Sequence, residues 1–392
     1  MEEKRMKKAL LLLLVACFAF GCIGGVFGAV YASETELAPG CKAVYLCDEN
    51  AKMQVYARNE KKHLPIASVC KVMTLLLCFE AVDEGRLSLD EDISVSENAA
   101  GMGGSQVFLE SGGVYKATDL IQSIAIASAN DSCVAMAERI AGSEEGFVKK
   151  MNARAKELGM EDTVFVNCTG LPKEGQYSCA KDVATMLSAL LCHAKYYDYS
   201  KIWLTEIKHS GDRVTEMANT NKLIRSYQGC DAGKTGFTNE AGFCLAASAS
   251  RGDMRVIGVV LGASDSKTRF SGVSALFDHA FANYTSKLVV EKAVLSDAVC
   301  PVSGGKVREV SLIPERECRI FCARDDDGEI YVEKVYKGAK APVARGDVLG
   351  EVIVYKDSVE VDRISLLAND DVAKSGYLDS LRELARNWSV CG

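Results

Sequence analysis

The feature that most constrains this chain is a helical run with almost nothing polar in it. Residues 69–79 read Val-Cys-Lys-Val-Met-Thr-Leu-Leu-Leu-Cys-Phe, with no Gly or Pro among them. Ser68 stands at the start and Gly85 just beyond the end, so the run has a defined beginning and stop. A helix apolar almost all round has no face to give to water and runs through the middle of a core. One residue breaks the pattern. Lys71, in the first turn, is a charge placed where charge is costly, and it needs a purpose.

Its neighbours supply one. Ser68 and Lys71 are three apart at a helix start, so they share a face and their side-chain ends can meet. The helix N-terminus adds free N–H groups and a partial positive charge beside the serine. A serine hydroxyl is a weak nucleophile until a base takes its proton. Lysine is such a base only when neutral, which burial and a second nearby cation both favour. Two further words follow in order, Ser128-Ala129-Asn130 and Lys234-Thr235-Gly236. Lys234 is the candidate second cation, and Ser128 the relay of a proton to a leaving amine. Asn130 would hold a substrate amide, while Lys234 and Thr235 would seat a carboxylate. Taken singly, each word has a plainer explanation: a helix cap, a solvated lysine, a loop triplet, a turn. The conjunction points to acyl transfer without histidine, because the order, the secondary structure and the buried lysine agree.

The rest of the chain organises around these words. Two alternating runs between 41 and 58 flank Asp48-Glu49-Asn50 and read as a hairpin. Residues 118–142 read as two helices broken at 128–130, with Asn130 or Asp131 capping the second. Beyond Gly229 the pattern turns to strands. Lys234-Thr235-Gly236 leads one, 242–250 forms the next and 254–262 the third, with Arg251-Gly252-Asp253 as a turn rather than an adhesion signal. Helices around an antiparallel sheet make an α+β first domain over 33–286. A small all-β domain follows over 287–370, without a catalytic cluster. In it, 317–324 and 329–336 read as a hairpin about Asp325-Asp326-Asp327-Gly328, and 348–355 pairs with 359–364. Residues 371–392 place Tyr377, Leu381, Leu384 and Trp388 on one helical face, opposite Asp379, Arg382, Glu383 and Arg386. That reads as an amphipathic helix lying on a membrane surface, with packing on the β domain as the plainer alternative.

Residues 1–32 read as an export signal: Lys4, Arg5, Lys7 and Lys8, then an apolar stretch, then Val30-Tyr31-Ala32 as a cleavage site. An uncleaved anchor, or lipidation at Cys17, are the competing readings. Each places the folded part outside the cytoplasm, on the outer face of the cytoplasmic membrane, in the cell wall or in the periplasm. Export permits disulfides, yet the later cysteines sit at apolar positions such as Cys78, Cys133 and Cys244 and read as small hydrophobes. No Cys-x-x-Cys occurs and the four histidines are far apart in sequence, so no metal site or cofactor is implied. A net charge of -7 without basic runs argues against a nucleic-acid partner.

The segments Pro65-Ile66-Ala67-Ser68-Val69-Cys70-Lys71-Val72-Met73-Thr74 and Ile126-Ala127-Ser128-Ala129-Asn130-Asp131 resemble the serine D-alanyl-D-alanine carboxypeptidases, the low-molecular-mass penicillin-binding proteins. So do Gly103-Gly104-Ser105-Gln106, Ala232-Gly233-Lys234-Thr235-Gly236-Phe237-Thr238, and Gly262-Ala263-Ser264 followed by Arg269. The resemblance implies a serine β-lactamase/transpeptidase-like fold in the first domain. It implies Ser68, Lys71 and Ser128 as catalytic residues, and Asn130, Lys234, Thr235, Gly236, Phe237 and Arg269 as substrate-binding ones. Within that set, the N–H groups of Ser68 and Phe237 form an oxyanion hole, and Thr235 and Arg269 bind the peptide's terminal carboxylate. The implied substrate is the D-Ala-D-Ala end of a peptidoglycan stem peptide, with β-lactams as acylating mimics. Two other functions compete: a β-lactamase, which would want an acidic residue placed for deacylation as in a Glu-x-x-x-Asn loop, where the region after Gly170-Leu171-Pro172 offers only Glu174 and no such loop, and a non-catalytic peptidoglycan- or β-lactam-binding module. Two departures stand out. Cys70 fills a place where small polar residues are usual, which raises the expectation of a site sensitive to oxidation or alkylation. Gln176 stands where close relatives often carry histidine.

Overall fold

The computed structural model describes residues 36–50, 53–377 and 379. The expected export signal and the residues past 379 of the expected terminal helix lie outside them. The fold is mixed α+β: a domain of helices and sheet, then a separate small β-sheet domain.

Five antiparallel strands form the first sheet. They are β1 (Ala43–Asp48), β2 (Met53–Arg58), β3 (Cys230–Thr238), β4 (Gly242–Arg251) and β5 (Met254–Ala263), in the order β2-β1-β5-β4-β3. Both faces are covered, and side chains divide between them with the period-2 alternation of a strand. On β1, Ala43 and Tyr45 face the larger core, while Val44 and Leu46 join a second core with Val273, Leu276 and Phe277.

The apolar run forms helix α1 (Lys71–Asp83), and the turn before it, Ala67–Cys70, is a tighter 3-10 turn. All of α1 except Glu80 and Asp83 is buried, so it crosses the core as its composition requires. Burying side chains such as Leu75, Leu76 and Phe79 contributes roughly 1.5–3 kcal/mol each. Around it pack α2 (Ala117–Ile126), α3 (Asn130–Ala141), α4 (Glu144–Glu157) and α5 (Ala180–Leu191). Helix α6 (Ser266–Asn283) covers the opposite face of the sheet.

At Asn283, α6 passes straight into β6 (Tyr284–Val290). The strands that follow are β7 (Val299–Ser303), β8 (Glu309–Pro314), β9 (Cys318–Ala323), β10 (Ile330–Tyr336), β11 (Ala339–Lys340), β12 (Val348–Lys356) and β13 (Val359–Ala368). Six of them form a sheet in the order β10-β12-β13-β8-β7-β11 over a core that includes Leu312, Val352, Val354, Ile364 and Leu366.

Three expectations change. The predicted hairpin of 317–324 with 329–336 does not form: β9 pairs with β6, and β10 with β12. Alternation identifies each strand but does not encode its partner, and Phe321 instead stacks on Tyr284 at 4.8 Å between ring centres. Neither Asn130 nor Asp131 caps α3, whose N-cap is Ala129. Both side chains are taken by the loop 103–109. The terminal helix does not begin at 371: Val372 and Lys374 pair in extended conformation with Val343 and Gly305. Among the described residues, no helix is long and apolar enough to cross a membrane.

Candidate active site

The site forms where the start of α1, the α2–α3 turn and the edge strand β3 converge. Lys71 Nζ lies 2.9 Å from Ser68 Oγ and donates to the Thr169 carbonyl at 2.6 Å. Lys71 is fully buried, whereas Ser68 is partly open. Burial pushes the Lys71 ammonium below its ordinary pKa, because the charged form loses its hydration. Lys234, 1 % exposed, is pushed well below by burial first and then by repulsion from Lys71 and Arg269. Lys71 thus disfavours the charge on Lys234, and the amine beside Ser68, discharged by its own burial, is suited to take a proton.

Backbone strain sits on both sides of this pair. Ala67 and Ser128 adopt left-handed φ of 48° and 64°, a conformation that costs a residue with a side chain about 1–2 kcal/mol. The turn at Ser128 is held by its surroundings. The Ser123 carbonyl accepts from the N–H groups of both Ala127 and Ala129, at 3.0 and 3.3 Å. Asn130 is fixed by its N–H to the Ser105 carbonyl at 2.7 Å and by Nδ2 to the Gly103 carbonyl at 2.6 Å. The buried Asp131 carboxylate accepts from the N–H groups of Val107 and Leu109, both at 3.1 Å. Ser128 Oγ and Asn130 Oδ1 are buried with no hydrogen-bond partner among the described residues. Unsatisfied polar atoms in a cleft are what a bound ligand would satisfy.

Strand β3 closes the other side. A Cβ at Gly236 would sit 2.7 Å from the Ile66 carbonyl and 3.1 Å from Ser68 N, so only a glycine lets the strand come this close to Ser68. Lys234 Nζ donates to the Thr235 carbonyl at 3.0 Å, and Thr235 Oγ1 to Thr220 Oγ1 at 2.8 Å. Arg269, in the first turn of α6, donates from Nη1 to the Gly236 carbonyl at 3.2 Å. The Phe270 and Phe243 rings stand 4.6 and 5.5 Å from its guanidinium carbon. Burial brings its pKa down to about 10, so it stays cationic at neutral pH. The Phe237 ring is 51 % exposed and lies on Phe243, so any part it takes in anion binding falls to its backbone.

Two family models match the chain. One, described as D-alanyl-D-alanine carboxypeptidase, covers residues 31–265. The chain belongs to this family. The second match, Penicillin-binding protein 5, C-terminal domain, covers 284–374. The carboxypeptidase-family chain is 36% identical over 387 residues to D-alanyl-D-alanine carboxypeptidase DacF of Bacillus subtilis, spanning 98% of this chain and 99% of the relative. It is similar in structure to penicillin binding protein 5 from Haemophilus influenzae, with TM-score 0.71, 26% identity and coverage of 86% and 98% of the two chains. Penicillin-Binding Protein D2 from Listeria monocytogenes, solved in an ampicillin-bound form, matches at TM-score 0.56 and 31% identity over 63% of this chain and 99% of that one.

Within the carboxypeptidase-family chain, all nine sequence-predicted site residues fall on the three elements named or on the first turn of α6. Sequence reasoning missed the segment that holds Lys71 from behind. Asn167 Oδ1 accepts from Thr169 N at 3.2 Å and Gly170 N at 2.7 Å, which sets the Thr169 carbonyl that Lys71 uses. Gln176 Oε1 in turn accepts from Val166 N and Asn167 N at 3.0 and 3.1 Å. Asn167-Cys168-Thr169-Gly170 carried a signal, since an Asn shortly before a Gly is a turn signature. Cys70 departs from its expectation. It is fully buried, its Sγ donates to the Asn167 carbonyl at 3.4 Å, and burial pushes its pKa up to about 12. A thiol in that state is a packing group, not a reactive one.

Proposed function

We infer that this chain is a serine-type D-Ala-D-Ala carboxypeptidase that removes the terminal D-alanine from peptidoglycan stem peptides through an acyl-enzyme on Ser68. One observation carries the reading: a wholly buried lysine amine 2.9 Å from a partly open serine hydroxyl. Neutral Lys71 takes the Ser68 proton as Oγ attacks the penultimate D-Ala carbonyl. The oxyanion forms against the N–H groups of Ser68 and Phe237. The peptide C–N bond breaks, Ser128 passes a proton to the leaving amine, and D-Ala departs. Water then adds to the ester carbonyl, the C–O bond to Ser68 breaks, and the serine recovers its proton. Asn130 holds the substrate amide, while Lys234, Thr235, Gly236 and Arg269 receive its terminal carboxylate. β-Lactams acylate Ser68 in the same way.

The domain limits 33–286 and 287–370 are part of this proposal, supported by a separate third core from Val290 onward. So is an exported location beside the cell wall, supported by the charged and apolar pattern of 1–32. Attachment to a membrane surface rests on the terminal residues from Tyr377, whose ring is 80% exposed.

The test pairs a fluorescent penicillin with a D-Ala-D-Ala peptide on the enzyme and on Ser68→Ala. Stable labelling and D-Ala release, both lost in Ser68→Ala, are expected. Rapid turnover of the antibiotic would indicate a β-lactamase, and neither label nor release a binding module.

A further inference from the structure

Thr220 stands where the two walls of the cleft meet. Its N–H donates to the Ile126 carbonyl at 3.1 Å, at the end of α2 and two residues before Ser128. Its hydroxyl oxygen accepts the Thr235 hydroxyl at 2.8 Å. The flanking asparagines pin the backbone between them. Asn219 Nδ2 donates to the carbonyls of Ser200 and Ile202 at 3.0 and 2.9 Å, and Asn221 Nδ2 to the Ala232 carbonyl at 3.4 Å. Asn219 and Asn221 are buried, while Thr220 is half-buried. The Thr220 hydroxyl proton itself has no acceptor among the described residues.

We propose that Thr220 is a further binding residue for the terminal carboxylate of the substrate, acting beside Thr235. The inference rests on the reading above that Thr235 and Arg269 seat that group. A carboxylate only accepts hydrogen bonds. On entering, it draws the Thr235 O–H away from Thr220 and onto one of its oxygens. The Thr220 hydroxyl, already 2.8 Å from Thr235 Oγ1, then has a proton to give to the same anion. Two adjacent hydroxyls thus meet two oxygens, with the Arg269 cation behind Gly236. In the empty enzyme the Thr220 oxygen holds the Thr235 hydroxyl in place, so the donor pair is set before substrate arrives. Hydrogen bonds to a charged acceptor are the stronger class, and loss of one corresponds to about tenfold or more in binding.

The test reads a ratio within one sample, so partial unfolding cancels. For the full chain, kcat/KM is measured on an acylated D-Ala-D-Ala peptide and on its C-terminal amide. Acylation rates are measured with benzylpenicillin and with its methyl ester. Thr220→Val lowers the acid-to-amide and acid-to-ester ratios by about tenfold, and Thr220→Ser restores them. Thr235→Val is the control for the seat. If Thr235→Val changes the ratios and Thr220→Val does not, Thr220 merely ties the walls together and the proposal is wrong. If Thr235→Val leaves both ratios unchanged, the carboxylate seat itself is misplaced and the proposal goes with it. Should Thr220→Val fail to fold, Thr220→Ala against Thr220→Ser reads the same ratios.

Discussion

Gly170→Ala tests whether the segment behind Lys71 sets the catalytic geometry. Gly170 has φ +80° and packs against the turn that carries Ser68. An added Cβ would stand 2.0 Å from the Ala67 carbonyl oxygen, 2.4 Å from its carbon and 2.9 Å from Ser68 N. Ordinary contact begins at 3.4 Å, and all three atoms are backbone, so the two segments must part by roughly 1 Å or more. The left-handed conformation costs alanine about 1–2 kcal/mol and overpacking about 1–3, giving a loss of roughly 2–5 kcal/mol. The same displacement moves the Ser68 N–H and draws the neighbouring Thr169 carbonyl off Lys71. A shift near 1 Å in a reacting geometry costs on the order of 100-fold in rate. The assay is the second-order acylation rate with a fluorescent penicillin, with the thermal midpoint taken on the same preparation. A variant that is acylated within about threefold of the parent rate and melts at the parent temperature would falsify this account of the site.

Two further outcomes follow from the ionisations. Burial lowers the Lys71 pKa, so its neutral form prevails at lower pH than in a free lysine, and acylation rises with pH along a limb below 10.5. Lys71→Arg, which keeps its proton, loses at least about 1000-fold in acylation, and an unshifted limb near 10.5 in the parent enzyme would contradict the assignment. The sign for stability is the same. The unfolded chain binds the Lys71 proton more readily than the folded one, so this group makes stability rise with pH from the depressed value up to 10.5, a slope that Lys71→Met removes in denaturant titrations. Iodoacetamide on the native protein modifies the exposed Cys192 and not the buried Cys70. Penicillin acylation continues unchanged, as mass spectrometry of the treated enzyme will check.

Much of this architecture was legible in the residues themselves. An all-apolar helix can only be central, and α1 is. Alternation found β1, β2, β4, β5, β12 and β13, and the buried Lys71 announced itself by standing in an apolar environment. Pairing was less legible, because β9 carries the same alternating pattern whether it meets β10 or β6. Capping failed at Asp131 for a related reason. A short carboxylate beside a helix start will cap it when nothing else competes, but here the N–H groups of Val107 and Leu109 arrive from a loop more than twenty residues away. Asn167 left only the faint turn signal of an Asn before a Gly, while the Thr169 carbonyl that meets Lys71 and the Thr220 hydroxyl that meets Thr235 left none, being contacts that only the folded chain creates.

The direct passage of α6 into β6 has a consequence for how the cleft is carried. Arg269 lies in the first turn of this helix and Asn283 in its last, and 18 residues at about 1.5 Å each span roughly 27 Å. No linker follows: Tyr284 enters its strand at once, and the Arg324 side chain donates to the Phe281 carbonyl at 2.9 Å across the junction. The same rod therefore carries Arg269, bound to the Gly236 carbonyl, at one tip and roots in the β-sheet domain at the other. Helix and strand being continuous, Arg269 is tied to the β-sheet domain through one unbroken run of regular structure and not through a loop.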